Sequence, residues 1–407
     1  MSAVILSPVR TKRQPTRGIK GSPLSWHRLK LNVKENWSGR RSDGRGCGRL
    51  ESKVSATNNP GLAITFVSLT PNDGNVRMST HRFACALAVA VICCLSLLGQ
   101  VSAEDAANRS TLKVLFIGNS YTARHNLADV VEAMAEAGNP GLDLQTTSVI
   151  YGGRTLSDHA RLGTLNFVRL HELTRAEEEA TLADLRKQAE DPKDRYAPSA
   201  VRRHQLLLAD FEKLRTKWDV VVLQSYRDDL EGDDSLCAKF APKFAELAKG
   251  QGARVILYET TPTTQNAEPL TAAPEAAPVM QKARSIAALA DRIGGTAAPM
   301  SLVGLRCQTQ RPDLTLRFIN DAHLNKTMAY LTACTLYAAL FNKSPEGLPL
   351  DSITDIRYLE LKGGKFDKTK DRDGEPITQT FSDKDRADLQ RIAWEGYQEF
   401  LTLRKKR

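Results

Sequence analysis

From Lys113 onward, short continuous apolar runs alternate with stretches of helical period. Lys113–Gly118 (KVLFIG) predicts a buried strand that runs straight into the turn Asn119-Ser120-Tyr121-Thr122. Leu127–Ala137 follows, with Leu127, Val130, Val131 and Met134 on one helical face, and Gly138-Asn139-Pro140-Gly141 stops it. Leu144–Tyr151 predicts a second strand ending at Gly152-Gly153. Asp219–Gln224 (DVVVLQ) lacks polar alternation, as expected of a strand inside a parallel sheet covered on both faces. Arg254–Tyr258 predicts a fourth strand and 296–303 a short fifth. Helices are expected over Ala238–Lys249, from the Pro- and Ala-rich loop 260–280 to about Ile293, over Thr327–Phe341 and over Asp383–Leu403. Between the second and third strands, about 168–217 is charged and helical in pattern, broken near Asp191-Pro192 and Ala197-Pro198. It predicts a helical hairpin inserted into the sheet connections, with Glu177-Glu178-Glu179 as a solvated face. Strands alternating with helices predict a three-layer α/β/α domain with a mainly parallel sheet.

The first hundred residues read differently. Residues 1–77 are rich in Arg, Gly, Ser and Asn and sustain no period of 2 or 3.6. Met78-Ser-Thr-His-Arg82, the apolar run Phe83–Leu98 and Gln100-Val-Ser-Ala103 are the basic start, core and small-residue site of a secretory signal peptide. The run is short of the roughly 20 residues a membrane span needs, so cleavage after Ala103 is expected, with no stable membrane insertion. A signal peptide belongs at the start of a chain, so 1–77 is read as a gene-model artefact preceding the true start at Met78, or as a disordered basic leader. The working part is then 104–407, secreted or periplasmic.

Composition changes the picture in one respect. The 407 residues are 41% hydrophobic and 26% charged, a globular mix, with net charge +10. Residues 1–77 hold 14 of the 57 Lys and Arg and 4 of the 47 Asp and Glu, leaving 43 of each in the remainder. The body is neutral, so no basic field draws it to nucleic acid, and that class of partner is set aside. Only Cys237, Cys307 and Cys334 follow residue 103. One disulfide with a free thiol and three buried thiols are both compatible with that number, and no metal-ligand spacing such as C-x-x-C occurs. No metal or cofactor is expected.

Ligands of such sheets gather where carboxyl ends of strands meet loops. Ser120 lies on the turn after the first strand, where backbone N–H groups could stabilise an oxyanion; the same turn also reads as an ordinary helix cap. Gly153 lets backbone approach a ligand closely, and Gln224 places an amide at the end of a core strand. A serine nucleophile needs a base, because its hydroxyl is barely ionised near neutrality, and histidine is the usual one. Beyond residue 103 the choices are His125, His159, His171, His204 and His323. His171 and His204 fall in the charged insert, where exposure is expected; His323 follows an acid at a loop-to-helix junction.

Together these residues resemble the SGNH (GDSL-like) hydrolase family, over about 112–343 with large insertions. LKVLFIGNSYTARHN (112–126) is similar to the family's first block, with Ser120 as nucleophile and Asn119 and Tyr121 as neighbours. Gly153 in GGRTL resembles the oxyanion glycine. Gln224 in VVVLQS stands where the family commonly has Asn, and His323 in DAHLN matches the catalytic His. The resemblance implies a flavodoxin-like α/β/α fold and ester hydrolysis through an acyl-serine, with Ser120, Gly153 and Gln224 forming the oxyanion hole. One position departs: the family's Asp usually precedes the His by three residues, where this chain has Asn320. Asp321, only two before, is then the carboxylate partner, or Asn320 or a backbone carbonyl orients a Ser-His dyad. The expected substrate is a small-molecule or carbohydrate ester, with O-acetyl sugars leading. The alternative is a catalytically silent carbohydrate-binding protein on the same fold.

Overall fold

A computed structural model describes residues 110–226, 232, 234–260 and 264–405. Residues 1–77, read as a leader or gene-model artefact, and 78–103, read as a signal peptide, lie outside the described residues. In chain order the first elements are β1 (Ser110–Gly118), the single-turn α1 (Ser120–Ala123), α2 (Leu127–Gly138) and β2 (Leu142–Ile150). Between β2 and β3 (Val220–Gln224) lie α3 (Leu156–Arg161), α4 (Thr164–Val168), α5 (Arg175–Gln188), α6 (Ala197–Ala209) and α7 (Phe211–Leu214). α8 (Leu236–Gly250), β4 (Arg254–Tyr258), α9 (Ala276–Arg292), β5 (Thr296–Ala298), α10 (Met300–Gln310) and α11 (Lys326–Phe341) complete the main domain. Two antiparallel pairs follow, β6 (Ser352–Thr354) with β9 (Thr378–Thr380) and β7 (Leu359–Leu361) with β8 (Lys365–Asp367), before α12 (Asp383–Lys405).

The five main strands form one parallel sheet in the order β2-β1-β3-β4-β5. Alternate residues of each central strand feed opposite cores, because side chains alternate across a strand. Val114, Phe116, Val220, Val222 and Ile256 pack against α2, α11 and α12. Leu115, Ile117, Val221, Leu223 and Leu257 pack against α8, α9 and the insert. Both faces are therefore apolar, which is why β3 shows no alternation; each Val or Leu it buries contributes about 1.5–3 kcal/mol of transfer free energy. α11 is buried along Lys326–Leu340, matching its all-round apolar sequence.

Three expectations are corrected. The fifth strand stops at Ala298, and Met300–Gln310 is helix, burying Leu302, Val303 and Cys307. A short apolar run does not distinguish strand from buried helix, and Pro299 makes the break here. The acidic run 177–179 is not wholly solvated: Glu178 falls on the buried stripe with Leu182 and Leu185 of α5. Its carboxylate lies 2.6 Å from His204 Nδ1 on α6 and accepts from Asn166 Nδ2 at 2.8 Å. His204 is accordingly buried rather than exposed, its Nε2 3.2 Å from the Leu162 carbonyl. The three cysteines are buried free thiols, so no disulfide forms among them. No helix among the described residues is long and apolar enough to cross a membrane.

Candidate active site

The strand order changes direction at β1: the chain moves to β2 on one side and returns to β3 on the other. Such a switch point opens a crevice between the carboxyl ends of β1 and β3, and Ser120 is placed there. Asn119 caps α1 by accepting Tyr121 N–H at 3.1 Å, so the hydroxyl sits on the first residue of a tight turn. The turn hangs on Gln224, at the end of β3. Its Oε1 accepts from Asn119 N (2.9 Å), Thr122 N (3.2 Å) and Thr122 Oγ1 (2.6 Å). Two backbone donors facing this atom fix it as the oxygen. Gly118 has to be Gly, because a Cβ there would collide with Gln224 Oε1 and Thr122 Oγ1.

Ser120 Oγ lies 2.8 Å from His323 Nε2, and His323 Nδ1 is hydrogen-bonded to Asp321 Oδ1. The expected serine, histidine and carboxylate thus meet, and Asp321 rather than Asn320 is the partner of the imidazole. Asn320 is turned away: its backbone N–H donates to Asp373 Oδ1 at 3.1 Å and its side chain lies on the same oxygen. Asp321 Oδ2 takes Arg372 Nη1 at 3.0 Å and Arg124 Nη1 at 3.3 Å. Burial alone would raise the Asp321 carboxyl, but the bond and charge of His323, then Arg124 and Arg372, outweigh it and hold it well below the usual carboxylate range.

The loop carrying His323 is clasped by the segment that carries Ser120. Tyr121 Oη donates to the Ala322 carbonyl at 2.8 Å, Arg124 pairs with Asp321, and His125 Nε2 donates to the Leu324 carbonyl at 2.9 Å. A 3-10 turn at Arg124–Asn126 makes this geometry, with His125 and Asn126 at φ 58° and 50°. Left-handed backbone at two non-glycine residues costs about 1–2 kcal/mol each, and it turns Arg124 inward. There Asp355 also accepts from its Nη2 at 2.9 Å, and its guanidinium covers the Phe318 ring. His125 is held neutral, its pKa lowered to about 4 by burial.

Gly153 sits at φ 67° in the turn after β2, with nothing within 4 Å of the position a Cβ would take. Arg154 O accepts from Asn119 Nδ2 at 3.1 Å, which ties this turn to the residue before Ser120. Among the described residues neither the Ser120 nor the Gly153 N–H has an acceptor, so both are available to a ligand oxygen. Gln224 is not. Both its amide hydrogens are donated, to Asn119 Oδ1 at 2.7 Å and to Ser225 O at 2.9 Å. The expected oxyanion contact from Gln224 is therefore replaced by a bracing one. His159 braces the same crossing, within 2.9 Å of the Gly118 carbonyl and 3.0 Å of Thr164 Oγ1, with burial lowering its pKa to about 4.

Sequence reasoning missed Arg124, His125, Asp355, Arg372 and Asp373. Arg124 and His125 carried a signal, one helical turn beyond the serine in S-Y-x-x-R-H. Residues 355, 372 and 373 carried none, because their role depends on how the two antiparallel pairs fold back. Chemically, the arrangement offers a hydroxyl within hydrogen-bond reach of an imidazole nitrogen, an ionised carboxylate on the other ring nitrogen, and two N–H groups. No cluster of three metal-ligating side chains occurs among the described residues.

No protein-family model matches the chain, and no curated protein does. Similar solved structures include a DUF4886 family protein from Bacteroides uniformis, 15% identical, covering 70% of this chain and 94% of that one, with a TM-score of 0.40. Another is a protein from Slackia heliotrinireducens described provisionally as an SGNH hydrolase, 17% identical, covering 57% of this chain and all of that one, with a TM-score of 0.34. Likeness at this level leaves the chemistry to be read from the chain's own site.

Proposed function

We propose that this protein is a serine esterase of the SGNH type, exported by the segment at 78–103. The observation that carries the reading is the line of contacts from Ser120 Oγ through His323 to Asp321. With its Nδ1 proton held by Asp321, His323 presents Nε2 as a base. It takes the Ser120 proton as Oγ attacks an ester carbonyl, and the Ser120 and Gly153 N–H groups receive the oxyanion. His323 then hands the proton to the departing alcohol, leaving an acyl-serine. Water, deprotonated by the same nitrogen, attacks the acyl carbon and releases the acid. An O-acetylated carbohydrate is the leading substrate: a Gln in place of the family's usual Asn at Gln224 resembles carbohydrate-esterase branches, and the export expected from 78–103 agrees with it.

Fluorophosphonate labelling of the purified protein tests this, beside Ser120→Ala and His323→Ala. Labelling that vanishes in the first variant and falls sharply in the second is expected. Folded wild-type protein that takes no label would overturn the reading in favour of a silent binding protein.

A further inference from the structure

Arg154 follows Gly153, whose N–H has no acceptor among the described residues, and its charge is not neutralised within those residues. Three other arginines near this end of the sheet are engaged. Arg124 pairs with Asp321 and Asp355, Arg372 with Asp321, and Arg203 with the Ser148 and Ile150 carbonyls. Arg154 has neither an ion pair nor a side-chain hydrogen bond among the described residues, and its Nε is buried without a partner.

Its position is defined. The guanidinium stacks on the Tyr196 ring, 4.4 Å from the centroid. Tyr196 Oη in turn donates to the Gly152 carbonyl at 2.7 Å, so the cation and the oxyanion turn share one support from the insert. The Arg154 carbonyl is bonded to Asn119, next to the nucleophile. The result is a planar fork of donors, held by a ring beside a glycine turn that has open space around it. An arginine fork matches a carboxylate, which can take the two Nη groups together.

From this we infer that the substrate carries a carboxylate next to the scissile ester and that Arg154 binds it, setting specificity. Acylated sugar acids and half-esters of dicarboxylic acids share this chemistry, with the charge on the alcohol side in the first and on the acyl side in the second. The inference rests on the esterase reading for its turnover test but not for its binding test.

Turnover is measured on two matched ester pairs. Mono(4-nitrophenyl) succinate against 4-nitrophenyl butyrate places the charge on the acyl side; 3-acetoxybenzoate against 3-acetoxybenzamide places it on the alcohol side. One pair is expected to favour its charged member in kcat/KM by about tenfold or more. That ratio should fall towards one in Arg154→Gln and be partly restored in Arg154→Lys, a pattern that loss of folding alone does not produce. Calorimetric titration of Ser120→Ala protein with the unreactive 3-acetamidobenzoate and with glutarate, beside their neutral amides, is the second readout. Binding of a carboxylate but not of its amide, lost on adding Arg154→Gln, upholds Arg154 as a carboxylate site even without turnover, in which case the esterase reading fails and the ligand is a carboxylate rather than an ester. Ester turnover with no charge preference in either pair, or a preference that survives Arg154→Gln, overturns the inference and leaves the esterase reading standing. Absence of both turnover and carboxylate binding in folded protein overturns both.

Discussion

Replacing Asp321 by Asn is the most informative perturbation, because the structure dictates which way the new amide must face. Asp321 Oδ2 lies between Arg124 and Arg372, both donors only, so the Asn oxygen is held on that side. Its NH2 then points at His323 Nδ1, which must accept. The ring proton is forced onto Nε2, the nitrogen 2.8 Å from Ser120 Oγ, and the base is lost although every atom stays in place. A wrong tautomer at this position in a serine triad costs about 10⁴-fold in kcat, or about 5.5 kcal/mol of transition-state free energy. Asn320→Ala removes only an exposed amide on Asp373 and should change the rate by less than about twofold, as surface substitutions do. The assay is the second-order rate of fluorophosphonate labelling, with circular dichroism melts to establish folding. Folded Asp321→Asn protein that keeps more than about a tenth of the rate, against the loss expected for the wrong tautomer, would refute the assignment. An equal loss in Asn320→Ala would refute it as well.

Gln224→Ala strips the acceptor from three buried donors at once, and at about 1–3 kcal/mol for each orphan unfolding free energy in urea should drop by several kcal/mol; a loss under about 1 kcal/mol contradicts the bracing role. His125 and His159 have folded pKa values near 4 against 6.5 for the free side chain. The unfolded chain therefore takes up protons that the folded chain refuses as pH falls from 6.5 towards 4, and stability declines through that window by about 2 kcal/mol per imidazole at pH 5. His159→Gln should reduce the difference between urea midpoints at pH 7.5 and pH 5, and an unchanged difference sinks the explanation. His204→Ala leaves Glu178 buried with only Asn166 beside it, so a loss of about 3–5 kcal/mol is expected by thermal and urea unfolding; a near-neutral variant would show that the pair does not hold the insert.

The sheet was legible because β1, β3 and β4 are buried on both faces, and unbroken apolar runs have few alternatives once flanked by turns. The meeting of Ser120 and His323 was legible because one follows a strand and the other precedes a helix. What escaped was everything decided by the third dimension. Glu178 looks like a surface acid until its place on the stripe with Leu182 and Leu185 is counted. Gln224 reads equally well as an oxyanion donor or as a brace, since only its partners decide. The choice between Asn320 and Asp321 turned on Asp373, more than fifty positions away, which draws the amide aside.

The clasp between the two loops has a kinetic consequence. Ser120 and His323 are 203 positions apart, and the arginine that completes the carboxylate's surroundings lies in the segment between the last two hairpin strands. Closing so long a loop is entropically costly and is repaid only after the intervening sheet has formed. The Ser120–His323 contact is therefore expected to be a late property of the chain, acquired after Trp218 is buried. During refolding, fluorophosphonate labelling of Ser120 should lag the change in tryptophan fluorescence.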